Sequence, residues 1–415
     1  MTIALSDLET FAVGLFALLV ATAIAHRIPL LRRFNVPTPV VGGVLVAILT
    51  ALLHQFGGIS IQFAKGLTDF FLLVFFTTVG LSAKFSALKA GGRPLVILCV
   101  VTVILLVAQN LVGLLVAAIA GAHPFYGVLI GSVSFVGGPG TAAAWAKEAQ
   151  AMGLTHAPEI AGGAATLAVV VGAIVSGPIT GWLIKRKNLH GPSGETPASW
   201  VAPDHATQEH AAQEHAAAQR HAAPAPAPPI ATIMLVLLLI VIAVLAGDAV
   251  NQWARGAGLV LPGFLTAMLA GVVITNVADL IGARIDFAPI ERGGEIALQA
   301  FLVMYLMSLK LWTLGAAIGP LMANVAIQVL VTVVIGVFIL FRWLGRDYDA
   351  AVTVGGFLGF GLSSMPVAMA TMDSVAMRHG PSPKAFLLIA LAGSFFVDLA
   401  NAFIVKAFIA LPWLH

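Results

Sequence analysis

Charge is what this sequence most lacks. Asp, Glu, Lys and Arg make up 9% of its 415 residues and apolar types 60%, whereas soluble domains carry roughly 25% charged residues. With a mean hydropathy of +1.00, the chain reads as a membrane protein. Its apolar positions form long runs rather than an alternation, and backbone groups facing lipid have to be satisfied within their own segment. The crossings are therefore helical and an outer-membrane barrel is excluded. Cysteine is almost absent. The single Cys99, inside an apolar stretch, rules out an intrachain disulfide or a cysteine metal cluster and, without an activating neighbour, makes a poor nucleophile. The net charge of +3 arises from short basic groups between apolar runs, with no continuous patch for nucleic acid. No basic residue precedes the first run, which follows Asp7 and Glu9, so that run is expected to stay in the mature protein rather than be cleaved as a secretory signal. Also missing are the groups of an intramembrane enzyme, such as a His-Glu-x-x-His helix, a Ser/His pair or paired acids. The charge rings or repeated carbonyl filter of a passive channel are missing too.

What is present is a set of ten apolar stretches: residues 10–26, 39–56, 67–82, 94–120 and 160–184, then 230–247, 261–281, 294–309, 318–341 and 385–411. A helix needs roughly 20 residues to cross about 30 Å of hydrocarbon. Two further apolar but Gly-broken stretches, about 125–150 and 350–374, precede the fifth and tenth spans. If the N-terminus lies outside, Arg27/Arg32/Arg33, Lys84/Lys89/Arg93, Lys185/Arg186/Lys187, Arg284/Arg292, Arg342/Arg346 and Arg378/Lys384 fall on the cytoplasmic side. Lys65, Lys147, Arg255 and Lys310 fall on the other. That asymmetry is the positive-inside bias, and it predicts five crossings per half. The expected fold is all-α and polytopic, with ten transmembrane helices in two inverted five-helix repeats, 1–187 and 230–415, each with a re-entrant hairpin. The expected location is the bacterial inner membrane, with both termini periplasmic. Pro39 to Leu53 resembles Pro262 to Asn276, and inverted repeats with matching interrupted segments are the pattern of secondary transporters.

Between the repeats, residues 188–229 form a cytoplasmic His/Ala/Pro-rich linker. His205, His210 and His215 recur every five residues, about 140° apart on a helix, so they share no metal-facing stripe.

The first broken stretch contains Gly137-Gly138-Pro139-Gly140-Thr141. In a helix interior glycine costs about 1 kcal/mol and proline about 3, so the chain is expected to turn there. Backbone groups freed by a turn at membrane depth are tolerated only inside protein or along an aqueous cavity. The second arm is expected to start at Thr141, its hydroxyl capping a helix whose N-terminal amides and dipole attract a carboxylate. In the second stretch Gly356, Gly359 and Gly361 are expected to permit the turn. Ser363 and Ser364 would cap or coordinate, and Pro366 would open the returning helix. Two such tips meeting near the midplane would form the site, with Gly137, Gly138, Gly140, Thr141, Gly359, Gly361, Ser363 and Ser364 around the substrate.

Charges inside apolar spans are costly. Asp398 is the clearest case, and Asn401 follows three residues later on the same helix face. Together with Ser134 they offer oxygen ligands to sodium, although a structural polar contact from Asp398 to a neighbouring helix is an equally simple reading.

Pro37-Thr38-Pro39-Val40-Val41-Gly42-Gly43, Gly137-Gly138-Pro139-Gly140-Thr141 with Ala144-Trp145, Leu309-Lys310-Leu311-Trp312, Asp347-Tyr348-Asp349-Ala350-Ala351, Gly359-Phe360-Gly361-Leu362 and Asp398-Leu399-Ala400-Asn401-Ala402 resemble segments of the glutamate:sodium symporter family, over nearly the whole chain apart from the linker. The resemblance implies symport of L-glutamate with sodium as coupling ion and no other cofactor, two oppositely oriented domains with Gly-Gly-x-Gly re-entrant loops, alternating access, and a homodimer. The second loop departs from that motif, since Phe357-Leu358 separates Gly355-Gly356 from Gly359. Carriers of aspartate, malate or citrate, coupled to sodium or protons, stay open at this point, since re-entrant amides bind any carboxylate.

Overall fold

The computed structural model describes residues 2–28, 37–88, 91–191, 230–256, 261–283, 287–313 and 318–411. Most of the linker, including its three spaced histidines, lies outside the described residues. In chain order, strand β1 (Thr2–Ala4) is followed by α1 (Asp7–Arg27), α2 (Thr38–Gly57), β2 (Ser60–Gln62), α3 (Gly66–Leu81) and α4 (Gly92–Ile119). Next come α5 (Pro124–Val128), running on to a kink at Gly131 (φ −88°, ψ −137°), then α6 (Gly138–Ala151) and α7 (Ala157–Arg186). After the linker run α8 (Ile230–Gly256), α9 (Gly263–Leu280), α10 (Phe287–Met307) and α11 (Ile318–Val334), the last continuing through a wide turn at Ile335–Leu340. The chain then forms α12 (Tyr348–Leu362), α13 (Met365–His379), α14 (Pro383–Leu391), another wide turn at Ala392–Phe396, and α15 (Val397–Ile409).

Seven of the described helices are long and apolar enough to cross a bilayer, matching the expected stretches at 10–26, 39–56, 94–120, 160–184, 230–247, 261–281 and 318–341. The other three differ for stated reasons. α3 has 16 residues, α10 carries Glu291, Arg292 and Glu295 in its first turns, and the stretch 385–411 divides into α14 and α15 around the wide turn. The helical pattern misses one feature. β1 and β2 pair in parallel, Thr2 beside Ser60, and Asp7 Oδ1 accepts the Leu67 N–H at 3.1 Å. These contacts tie the start of α1 to the loop before α3.

The helices pack by their place within each half rather than half by half. α1, α2 and α3 pack with α8, α9 and α10, whereas α4 to α7 pack with α11 to α15. In the first body α3 crosses α9 so closely that a Cβ placed at Gly80 would lie 2.0 Å from the Met268 carbonyl oxygen. Thr275 Oγ1 donates to the Leu81 carbonyl at 2.6 Å, and Lys84 Nζ lies 2.5 Å from Asp279 Oδ1. Without water to drive association inside a bilayer, small residues that let backbones approach are the main cohesive device. The two bodies meet where Lys147 Nζ of α6 lies 2.6 Å from Asp69 Oδ1 of α3 and where the Tyr305 hydroxyl of α10 donates to the Pro158 carbonyl of α7 at 2.6 Å. Trp145 of α6 packs edge-on to Phe264 of α9 at 5.5 Å.

The α3–α9 crossing makes a direct prediction. Gly80→Ala forces backbone apart and should lower stability by about 1–3 kcal/mol. Gly181→Ala, in open space on α7, should be neutral or mildly stabilising. Melting of the two variants in detergent separates these outcomes.

Candidate functional site

Both broken segments are built alike. In each, a helix ends, the chain takes one or two non-helical residues, and the next helix starts with proline in its first turn, Pro139 in α6 and Pro366 in α13. Proline lacks an N–H and its ring clashes with the carbonyl four residues back. For Pro366 that residue is Leu362, the last of α12. In the first segment the reversal falls on Gly138 at φ +67°, a left-handed conformation that costs an L-residue roughly 1–2 kcal/mol. In the second it falls on Ser363 (φ −158°, ψ −83°), which is non-helical, and on Ser364 (φ −171°, ψ 166°), which is extended.

Two expectations are corrected here. α6 begins at Gly138, with Gly137 as its N-cap and no side-chain cap bond, so Thr141 lies inside the first turns rather than at the cap. The reason is that Pro139 and Gly138 already set the turn three residues earlier. The glycines of the second stretch do not form a turn. Gly355, Gly356, Gly359 and Gly361 are helical residues of α12. Their missing side chains admit neighbours instead: a Cβ at Gly359 would lie 2.4 Å from Ala368 Cα, and one at Gly356 2.5 Å from Met372 Sδ. α12 and α13 thus pack as an antiparallel pair. Ser364 is the N-cap residue of α13 but makes no side-chain cap bond; its hydroxyl lies 3.5 Å from that of Ser363.

The tips touch. A Cβ at Gly138 would sit 3.1 Å from the Ser363 carbonyl oxygen and 3.6 Å from Ser364 Cβ. The starts of α6 and α13 therefore converge, joining Gly137, Gly138, Ser363 and Ser364 in one place. Thr141 packs on Gly137. Gly140 instead faces Leu298 and Phe75 of the other body, Gly359 faces Ala368 of α13, and Gly361 faces Leu105 and Thr332 of the supporting helices α4 and α11.

Beside the first tip, Ser132 Oγ lies 2.7 Å from Asn401 Oδ1, and Asn401 Nδ2 donates to the Ser132 carbonyl at 3.3 Å. The Ser132 N–H donates to Asn110 Oδ1 at 3.1 Å, which leaves the buried Nδ2 of Asn110 without a partner. Asp398, one turn before Asn401, is partly buried, and its carboxylate has no hydrogen-bond or ion-pair partner among the described residues. Ser134 is not part of this cluster. Its hydroxyl donates to the Leu129 carbonyl at 2.6 Å, with the Ala161 carbonyl 3.4 Å away.

The sequence reading missed the residues that hold the breaks in place. Gln109 and Asn110 on α4, and Asn324, Gln328 and Thr332 on α11, are all fully buried. Asn324 Nδ2 donates to the Ile130 carbonyl at 2.7 Å and Gln109 Nε2 to the Gly361 carbonyl at 2.7 Å. Each break therefore has a carbonyl satisfied by an amide from a fourth-position helix, α4 or α11. The available signal was an uncharged amide inside a long apolar run, which is costly unless it has a partner.

The chain is similar to known proteins over nearly its whole length. The sodium/glutamate symporter family profile matches residues 3–381. The sodium/glutamate symporter of Haemophilus influenzae is 37% identical over 98% of both chains, and that of Escherichia coli is 34% identical over 98% of both. A solved sodium proton antiporter from Methanocaldococcus jannaschii covers 97% of both chains at 13% identity with a TM-score of 0.38, a likeness too slight to establish a fold. With the family profile covering nine-tenths of the chain and full-length relatives above 30% identity, the chain belongs to the sodium/glutamate symporter family.

Proposed function

We propose that this multi-pass membrane protein takes up L-glutamate together with sodium by alternating access, across a bacterial inner membrane. The observation that carries the mechanism is the convergence of the α6 and α13 N-termini at Gly138, Ser363 and Ser364. The positive ends of two helix dipoles meet at one spot there, which suits a substrate carboxylate. The unpartnered Nδ2 of Asn110 adds a side-chain donor. Asp398 and Asn401 supply anionic and neutral oxygens for sodium, with Ser132 in place of the more distant Ser134. Malate and citrate carriers are not favoured, because the full-length relatives are named as glutamate symporters.

The fold part of this proposal is five plus five helices in inverted repeats, each with a re-entrant hairpin. It is supported by the matched proline-led breaks, by buried amides on both α4 and α11, and by the pairing of like-placed helices across the halves. The bias of the basic residues supports a cytoplasmic linker and periplasmic termini. Access alternates as the body carrying both tips moves against the α1–α3/α8–α10 body, exchanging the Lys147–Asp69 and Tyr305–Pro158 contacts. The dimer rests on the family resemblance.

Uptake of labelled L-glutamate into proteoliposomes tests the reading. An inward sodium gradient should drive accumulation, whereas potassium or proton gradients should not. Accumulation driven by protons alone would overturn the coupling ion. Asp398→Asn should cut sodium-driven uptake by at least about tenfold, equivalent to about 1.4 kcal/mol. Ser132→Ala should impair uptake more than Ser134→Ala, because only the Ser132 hydroxyl reaches Asn401; equal rates would remove Ser132 from the site.

A further inference from the structure

Behind the two tips, where α4 crosses α11, a row of buried amides has its atom placement fixed by backbone carbonyls. Gln109 Nε2 donates to the Gly361 carbonyl at 2.7 Å, so exchanging its nitrogen and oxygen would set two oxygens against each other. Gln328 Nε2 is fixed likewise, 2.9 Å from the main-chain carbonyl of Gln109 and 3.3 Å from Asn324 Oδ1. Asn324 is in turn fixed by the Ile130 carbonyl, which accepts its Nδ2. What remains is Oε1 of Gln109 and Oε1 of Gln328. Both are buried, and neither meets a donor. One comes from each half of the chain. The Thr332 hydroxyl, one turn from Gln328 and 3.3 Å from Gln109 Nε2, adds a third oxygen.

Two buried acceptors without donors are an expensive arrangement, and structural need does not explain it. The Gln109 and Gln328 side chains are required only for their N–H groups. Uncharged oxygens from amides and a hydroxyl are hard ligands that suit a monovalent cation, whereas a divalent ion normally takes carboxylates. We propose that Gln109 Oε1 and Gln328 Oε1 are ligands of a second sodium site, separate from Asp398 and Asn401. This inference rests on the sodium-coupled reading above. An ion held there draws electron density from both amide oxygens and strengthens the N–H donors that grip the Gly361 and Gln109 carbonyls. Gly361 lies two residues before Ser363, so sodium at the crossing orders the tip that receives the substrate. By linkage, glutamate at the tips then raises sodium affinity by the same factor.

The test uses the full chain in lipid nanodiscs, titrated with NaCl against KCl at constant ionic strength, with melting temperature as the readout. Wild type, Gln109→Leu, Gln328→Leu, Gln109→Glu and Gln328→Glu are compared. The wild type should show a sodium-specific rise. Each Leu variant should need at least tenfold more sodium for half of its rise. The Glu variants, buried against a carbonyl, take up a proton that donates to it in place of the lost N–H and keep the other oxygen in position, so they should respond at sodium close to the wild type's. Leu variants that follow the wild-type titration overturn the site, as do Glu variants that lose the response. If the Leu variants fail to fold, the Glu variants decide alone. A wild type with no sodium-specific rise sinks the coupling reading and this site together, whereas a normal wild type with unaltered variants sinks this site only.

Discussion

A helix that breaks inside an apolar body leaves backbone carbonyls and N–H groups that have no water to turn to, and each one left unsatisfied costs several kcal/mol. The rest of this molecule is arranged around meeting that demand. Gly131 with Gly138 and the Ser363–Ser364 pair make the breaks, and the Ile130 carbonyl beside the Gly131 kink and the Gly361 carbonyl before Ser363 are taken up by Asn324 and Gln109. The donors come from the helix of the opposite half in each case: α11 serves the first break and α4 the second. Each break also keeps partners within its own half, such as Asn110 for the Ser132 N–H, but each takes one donor from the other half, which couples the folding of the two.

The same constraint explains why helices group by position. α4 and α11 have to lie across both breaks, which draws α5 to α7 and α12 to α15 into one body. The remaining six helices form the other, held by backbone approach at Gly80 and by Thr275 and Asn276 bonding to the end of α3. Among the described residues the polar contacts between the bodies lie toward helix ends, at Lys147–Asp69, Tyr305–Pro158 and Lys310–Glu159. Interfaces of that kind slide at modest cost, as alternating access requires, whereas an interlocked seam like α3 against α9 does not.

Much of the fold was legible. Seven long apolar runs became spanning-length helices, and Gly-Gly-Pro-Gly marked a helix break, because proline and a left-handed glycine act locally whatever surrounds them. The glycine-rich run of α12 misled, since a glycine helix penalty of about 1 kcal/mol is offset by the close packing of α13 on Gly356 and Gly359. Its break waited for Pro366. The β1–β2 pair was missed because three-residue strands carry no usable period. Gln109, Asn324 and Gln328 were missed for a deeper reason. Hydropathy reading weighs charges, and the contacts that give these amides their role span more than 190 positions in sequence. Asp398 and Asn401 stood out as polar residues in an apolar helix, whereas Ser132, which bonds Asn401, did not, since it is the kink at Gly131 that decides which hydroxyl faces α15.

The central claim is that substrate and sodium meet at the junction of the two tips. A cryo-EM structure of the protein in nanodiscs, with glutamate and sodium both saturating, tests it most directly. The account predicts glutamate density between Gly138 and Ser363–Ser364, bounded by the starts of α6 and α13. Density for glutamate elsewhere, with the tips still closed on each other, would contradict it.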